Sequence, residues 1–111
     1  MQAKCYIYSV ELSTSAFYAW SMKKERILSQ AECQTLKKIF GDLVRQRRKV
    51  LGLSQEDLGF ECGLHRTYIG SIERGETNLS LENMAVIAII LHCEIRDLVP
   101  NLKEVRKKSS R

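Results

Sequence analysis

Two histidines, His65 and His92, are all that the 111 residues contain, and no Ser/His/Asp set, Cys/His pair or glycine-rich phosphate loop is recognisable around them. The chain is therefore expected not to be an enzyme, and nuclease and transferase assays are expected to be blank. Its four cysteines, Cys5, Cys33, Cys62 and Cys93, are widely scattered and form no CxxC. That spacing argues against a zinc site, and no metal or cofactor is expected. Cys62 and Cys93 fall in predicted helices and read as small core hydrophobes. The longest apolar run, Met84 to Leu91, is far too short to span a bilayer, so no membrane partner is expected. Lys4 is followed only by a brief apolar stretch broken by Glu11 and several Ser and Thr, which is no plausible signal peptide. A reducing cytoplasm is the expected compartment.

What the chain does have is concentrated in residues 53–78, LSQEDLGFECGLHRTYIGSIERGETN. Ser54 is a good N-cap, with Gln55, Glu56 and Asp57 in the first turn, where acidic side chains suit the positive end of the helix dipole. Leu58 and Cys62 lie four apart and share a face, while Phe60 points elsewhere. Gly63 ends this helix in a left-handed conformation, and Leu64 plugs the corner. His65 stands at the start of a second helix over about 66–74, with Ile69 and Ile72 as its buried stripe. Arg66 and Thr67 fall on the other side. An arginine can donate two hydrogen bonds to guanine O6 and N7, and a threonine can bond a base edge or touch a thymine methyl. Gly70 permits close approach to a groove wall, and Ser71 lies one turn beyond Thr67 on the same face. Two helices at a tight turn, the second with one apolar and one readable face, predict a helix-turn-helix that binds duplex DNA.

Flanking elements follow from period and punctuation. Ser29-Gln30-Ala31-Glu32 is a capping box that opens a long first helix. Leu36, Ile39, Phe40, Leu43, Val44, Val50 and Leu51 give it an apolar stripe, and Gly52 closes it. Ser80 caps a helix of about 81–91 that is apolar on nearly all sides, with Glu82 in its first turn. A short helix over about 94–99 carries Ile95, Leu98 and Val99 before Pro100.

The run LSQEDLGFECGLHRTYIGSIERGETNLSLENM resembles the phage-repressor-like (XRE) helix-turn-helix family, and LHRTYIGSIERGETNLS is similar to the controller proteins of restriction–modification systems. The resemblance covers about residues 36–99. It implies an all-α, compact five-helix lambda-repressor-like DNA-binding domain that acts as a homodimer on a partly palindromic operator. By position it assigns base reading to Arg66, Thr67 and Ser71, and backbone contacts to Gln55, His65, Tyr68 and Asn78. It also pairs Arg48 with Glu73 as a buried ion pair tying the first helix to the recognition helix; alternatively Arg48 simply joins the basic cluster Arg45 to Lys49. RNA polymerase is a further partner that a regulator of this kind would meet. An antitoxin-type module that binds a protein as well as DNA would share the same motif.

The formal charge of +5 suits a polyanionic partner, but its distribution is uneven. Residues 1–28 carry four basic and two acidic side chains, residues 29–100 nine and ten, and residues 101–111 five and one. The chain thus reads as an N-terminal extension (1–28), a nearly neutral DNA-binding domain (29–100) and a basic C-terminal tail (101–111). Attraction to DNA must come from local clusters: Arg45 to Lys49, Arg66, Arg74, and the tail residues Lys103, Arg106, Lys107, Lys108 and Arg111. The tail is either a frayed, solubilising end or a nonspecific phosphate contact. The apolar surplus of Ile89, Ile90, Ile95, Leu98 and Val99 suggests a self-complementary dimer seam, unless the N-terminal extension covers it. In that extension Tyr6, Tyr8 and Val10 alternate like a short strand, Phe17, Tyr18, Trp20 and Met22 form an aromatic-rich segment, and Met22 is an alternative start.

Overall fold

The structure, a computed structural model, describes residues 27–109. The readings made of residues 1–26, including the strand, the aromatic segment and the start at Met22, lie outside the described residues. Six helices are described: α1 (Gln30–Val50), α2 (Gln55–Cys62), α3 (Arg66–Glu73), α4 (Leu81–Ile90), α5 (Ile95–Leu98) and α6 (Leu102–Ser109). No strand occurs among the described residues. The first five correspond to the five-helix domain, and the sixth falls in the segment read as a basic tail.

Local chemistry accounts for where these helices begin and end. The Ser54 hydroxyl accepts from the Asp57 amide, and the Asp57 carboxylate accepts from the Ser54 amide, closing a reciprocal cap at the head of α2. Those two hydrogen bonds hold the Asp57 carboxyl below its usual range. Ser80 caps α4 through the Asn83 amide. Four helix ends share one closure: the chain enters the left-handed region, and two backward amide hydrogen bonds satisfy the last carbonyls. Glycine takes that position at Gly52, Gly63 and Gly75, whereas at the end of α4 it is held by His92, with φ 56°. The His92 amide donates to the Ile89 carbonyl and the Cys93 amide to the Ala88 carbonyl, so His92 closes α4 through its backbone.

The core gathers one stripe from each helix of the domain: Phe40 and Val44 from α1, Leu58 from α2, Ile69 and Ile72 from α3, Ile87 and Ala88 from α4 with Leu91, and Leu98 from α5. Fully burying each large aliphatic chain stabilises the fold by about 1.5–3 kcal/mol. Gly41 lets α1 come against the end of α3. A Cβ there would strike the Ile72 carbonyl and stand 2.8 Å from that of Glu73.

Three expectations are corrected. Val50 and Leu51, counted in the apolar stripe of α1, lie past the end of the packed surface; Val50 is 85% exposed. Leu98, counted in the dimer seam, is wholly buried in its own subunit's core, because the turn of α5 points it inward. Nor are residues 102–109 a frayed end. They form α6, whose one aliphatic residue after Leu102, Val105, is wholly buried. α6 meets the first turns of α1: the Ser109 hydroxyl lies 2.8 Å from that of Thr35, and the Arg106 guanidinium 3.7 Å from the Glu32 carboxylate.

Candidate nucleic-acid interface

Recognition by a short helix requires that it be held rigidly and that one of its faces be open. The α3 backbone meets the first condition through Ile69 and Ile72 below and a charged anchor at its end. Arg48 of α1 and Glu73 of α3 are both buried. The Arg48 Nε donates to Glu73 Oε2 at 2.7 Å, and its Nη2 donates to Glu73 Oε1 at 2.9 Å. Its remaining amino group donates to the Leu53 carbonyl at 2.8 Å. The hydrogen bond to Glu73 raises the Arg48 pKa further, with burial acting the other way. Gln55, at the head of α2, donates from Nε2 to Glu73 Oε1 at 3.2 Å. One carboxylate thus ties together α1, the start of α2 and the end of α3.

The open face begins at the N-terminus of α3. His65, Arg66 and Thr67 are exposed in succession, with Gln55 and Asn78 exposed nearby in sequence to the two helix junctions. His65 caps α3: its Nδ1 accepts from the Thr67 amide at 3.1 Å, which leaves the Nε2–H of the neutral ring as a donor. Arg66 and Thr67 therefore project from a capped, fixed first turn.

Two residues assigned to this face are engaged within the chain. The half-buried Ser71 donates its hydroxyl to the Tyr68 carbonyl at 2.7 Å and lies 2.6 Å from the Thr77 hydroxyl. Tyr68 is half-buried too, and its hydroxyl accepts from the Asn83 amide of α4 at 3.2 Å. Ser71 and Tyr68 thus pin the loop after α3 and the start of α4 to the recognition helix. Thr77, Asn83 and Gly41 drew no attention in the sequence: Asn83 and Gly41 act through partners distant along the chain, and Thr77 reaches Ser71 only across the turn that follows α3. Gly70, read as an opening toward a groove, is covered by the side chains of Arg74 and Gln55.

Of the residues assigned to a dimer seam, Ile89 is 69% exposed and Val99 is exposed, while Ile90 and Ile95 are half-buried and packed against the core. Val86 adds to the exposed side of α4. No helix among the described residues is long and apolar enough to cross a membrane, and no metal-binding group of three or more His, Cys, Asp or Glu occurs among them. Burial raises the thiol pKa of Cys62 and of Cys93, helped at Cys62 by Glu61 and opposed at Cys93 by Arg47, so neither is an activated thiolate.

A capped α2, a left-handed Gly63 and an α3 whose N-terminal residues stand free above a buried charged anchor define a helix-turn-helix DNA-binding protein. A helix-turn-helix family model matches residues 44–98. The chain is 50% identical over 62 residues to control protein C.BamHI of Bacillus amyloliquefaciens, covering 55% of this chain and 76% of that protein. It is 42% identical over 64 residues to control protein C.SmaI of Serratia marcescens, covering 58% and 76% of the two chains. The crystal structure of the restriction–modification controller protein C.AhdI from Aeromonas hydrophila superposes with a TM-score of 0.53 at 45% identity, over 58% of this chain and 94% of that one. The chain belongs to the XRE-type helix-turn-helix family and is a DNA-binding regulator related to restriction–modification controller proteins.

Proposed function

We propose that this protein is a transcriptional regulator of the restriction–modification controller type, binding a partly palindromic operator as a homodimer. The observation that carries the reading is the projection of Arg66 and Thr67 from the capped start of α3, above the Arg48–Glu73–Gln55 anchor. In this account Arg66 takes guanine O6 and N7, and Thr67 takes the adjoining base edge. Gln55, the Nε2–H of His65, and Asn78 hold the flanking phosphates. Ser71 and Tyr68 serve the interface by fixing the backbone of α3 and the loop behind it. One recognition helix covers only a few base pairs. Two of them, related by a twofold axis and spaced by one helical turn of about 34 Å, would read successive major grooves on one face of the duplex.

The seam we assign to that dimer is the outer side of α4, Val86 and Ile89, with Ile90, Ile95 and Val99 at its border; Leu98 supports it from within. Isolated exposed aliphatics are ordinary, but a row of them along one helix of a small domain favours a second copy. The protein acts by binding alone, without catalysis, in the compartment that holds the DNA, and RNA polymerase is the machinery its occupancy would admit or exclude. Selection of bound duplexes from a random pool tests the proposal. Recovered sequences should share a symmetric motif with half-sites one turn apart. An asymmetric motif would remove the homodimer, and recovery of no motif would remove sequence-specific binding.

A further inference from the structure

Arg74 follows the last residue of α3, and its side chain folds back over Gly70, one turn earlier on the same face. A Cβ placed on Gly70 would stand 3.0 Å from Arg74 Nη1 and 3.4 Å from Gln55 Oε1. Glycine at this position therefore lets the Arg74 guanidinium and the Gln55 amide oxygen close over the helix backbone. The Nε edge of Arg74 faces the Glu76 carboxylate, at 2.9 Å and 3.2 Å from its two oxygens. Both side chains of that pair are more than half exposed. A solvent-exposed pair contributes little to stability, so Glu76 is not there as a structural anchor. What it does is hold a counter-charge against Arg74 beside the surface meant for DNA. The domain of residues 29–100 carries nine basic and ten acidic side chains, so each locally uncompensated cation near that surface weighs heavily.

We infer that Arg74 forms a phosphate clamp beside Gly70, and that Glu76 is its internal competitor. This rests on the reading of α3 as the helix that enters DNA. A guanidinium presents two bidentate edges, and Glu76 occupies the one that includes Nε. The opposite edge carries Nη1, which stands over Gly70, while Gln55 gives its amide nitrogen to Glu73 and shows only its oxygen to Gly70. A phosphate seated there takes two hydrogen bonds from Arg74, on the Thr67–Ser71–Arg74 strip of α3. Glu76, one guanidinium away, repels that phosphate and favours the unbound state. The clamp is blind to base identity. Glu76 therefore sets how tightly the protein holds any duplex, while Arg66 and Thr67 set which one it prefers.

The test uses the full chain, a duplex recovered by selection with the wild type, and a mixed-sequence duplex, with affinities followed across a range of salt. Arg74→Gln should weaken both duplexes about tenfold and reduce the salt slope by about 1, the loss of a single phosphate contact. Glu76→Gln should tighten both several-fold, and should do so much less when Arg74 is already glutamine. Gly70→Ala offers a readout that a purely structural role would not give. Its Cβ displaces a flexible arginine and alanine is the better helix former, so the protein should melt no lower while the salt slope falls. Unchanged slope and affinity in Arg74→Gln, with the wild type still binding, would overturn the clamp alone, and weaker binding by Glu76→Gln would overturn the competitor. A wild type that retains no duplex would instead overturn the regulator reading, and the clamp with it.

Discussion

Replacing Arg48 by methionine keeps most of its bulk but leaves the Glu73 carboxylate buried, with only Gln55 to face it at 3.2 Å. The lost contacts are two charge-assisted hydrogen bonds of 2.7 and 2.9 Å and a third to the Leu53 carbonyl. Breaking a buried pair by removing one partner costs about 3–5 kcal/mol, because the remaining charge is uncompensated. For a small domain, whose whole stability is on the order of 5–15 kcal/mol, that is a large share. At about 4–8 °C per kcal/mol it should lower the melting temperature by about 12–40 °C. The double substitution Arg48→Met with Glu73→Leu removes the stranded charge and should recover most of the loss; the residual cost is the unpaired Leu53 carbonyl, about 1–3 kcal/mol. Urea and thermal denaturation followed by circular dichroism measure all three proteins. A single substitution that costs less than about 1 kcal/mol would refute the idea that this pair is desolvated and structural. So would a double mutant no more stable than Arg48→Met, since it would place the cost in lost packing and not in an orphaned charge.

Further outcomes are expected elsewhere. Ile89→Asp puts a charge in the middle of the assigned seam; sedimentation should show it monomeric where the wild type is dimeric, with the fold unchanged because this side chain is already mostly exposed. Val105→Ala should cost about 1–3 kcal/mol and release α6 from α1, seen as faster amide exchange across residues 102–109, because Val105 is the wholly buried side chain of that helix. His92→Gly should raise stability by up to about 1 kcal/mol in a denaturant titration, as glycine takes the left-handed position without the steric penalty that any side chain meets there.

Much of the domain was legible in the sequence wherever the determinant is local. Ser54 and Ser80 mark helix starts, and Gly63 and Gly75 mark helix ends, because a cap needs only the next three or four residues. The four- and three-residue spacings of Leu58 with Cys62 and of Ile69 with Ile72 place the corner and the recognition helix for the same reason. The meeting of Arg48 with Glu73 came from the family resemblance, since nothing local joins two residues so distant along the chain. Legibility fails where facing is decided by the neighbours. α4 and α5 are apolar on several sides, so composition could not say that Leu98 turns inward while Val99, the next residue, stays exposed. The single aliphatic Val105 within a basic run gave no periodic signal, yet one buried valine and the Ser109–Thr35 contact suffice to dock a short helix. Ser71 looked like a reader because its backbone position faces outward; its hydroxyl is turned aside by Thr77, a loop residue whose approach depends on the Gly75 turn.

The central claim is that the start of α3 reads bases in the major groove, and the most direct test compares the base preferences of the wild type and Arg66→Ala, position by position, on variants of the selected duplex. The account predicts a loss of about 1–3 kcal/mol confined to a symmetric pair of positions, where preference for guanine disappears while every other position keeps its own. A fall in affinity spread evenly over all sequences, scrambled duplex included, would contradict it.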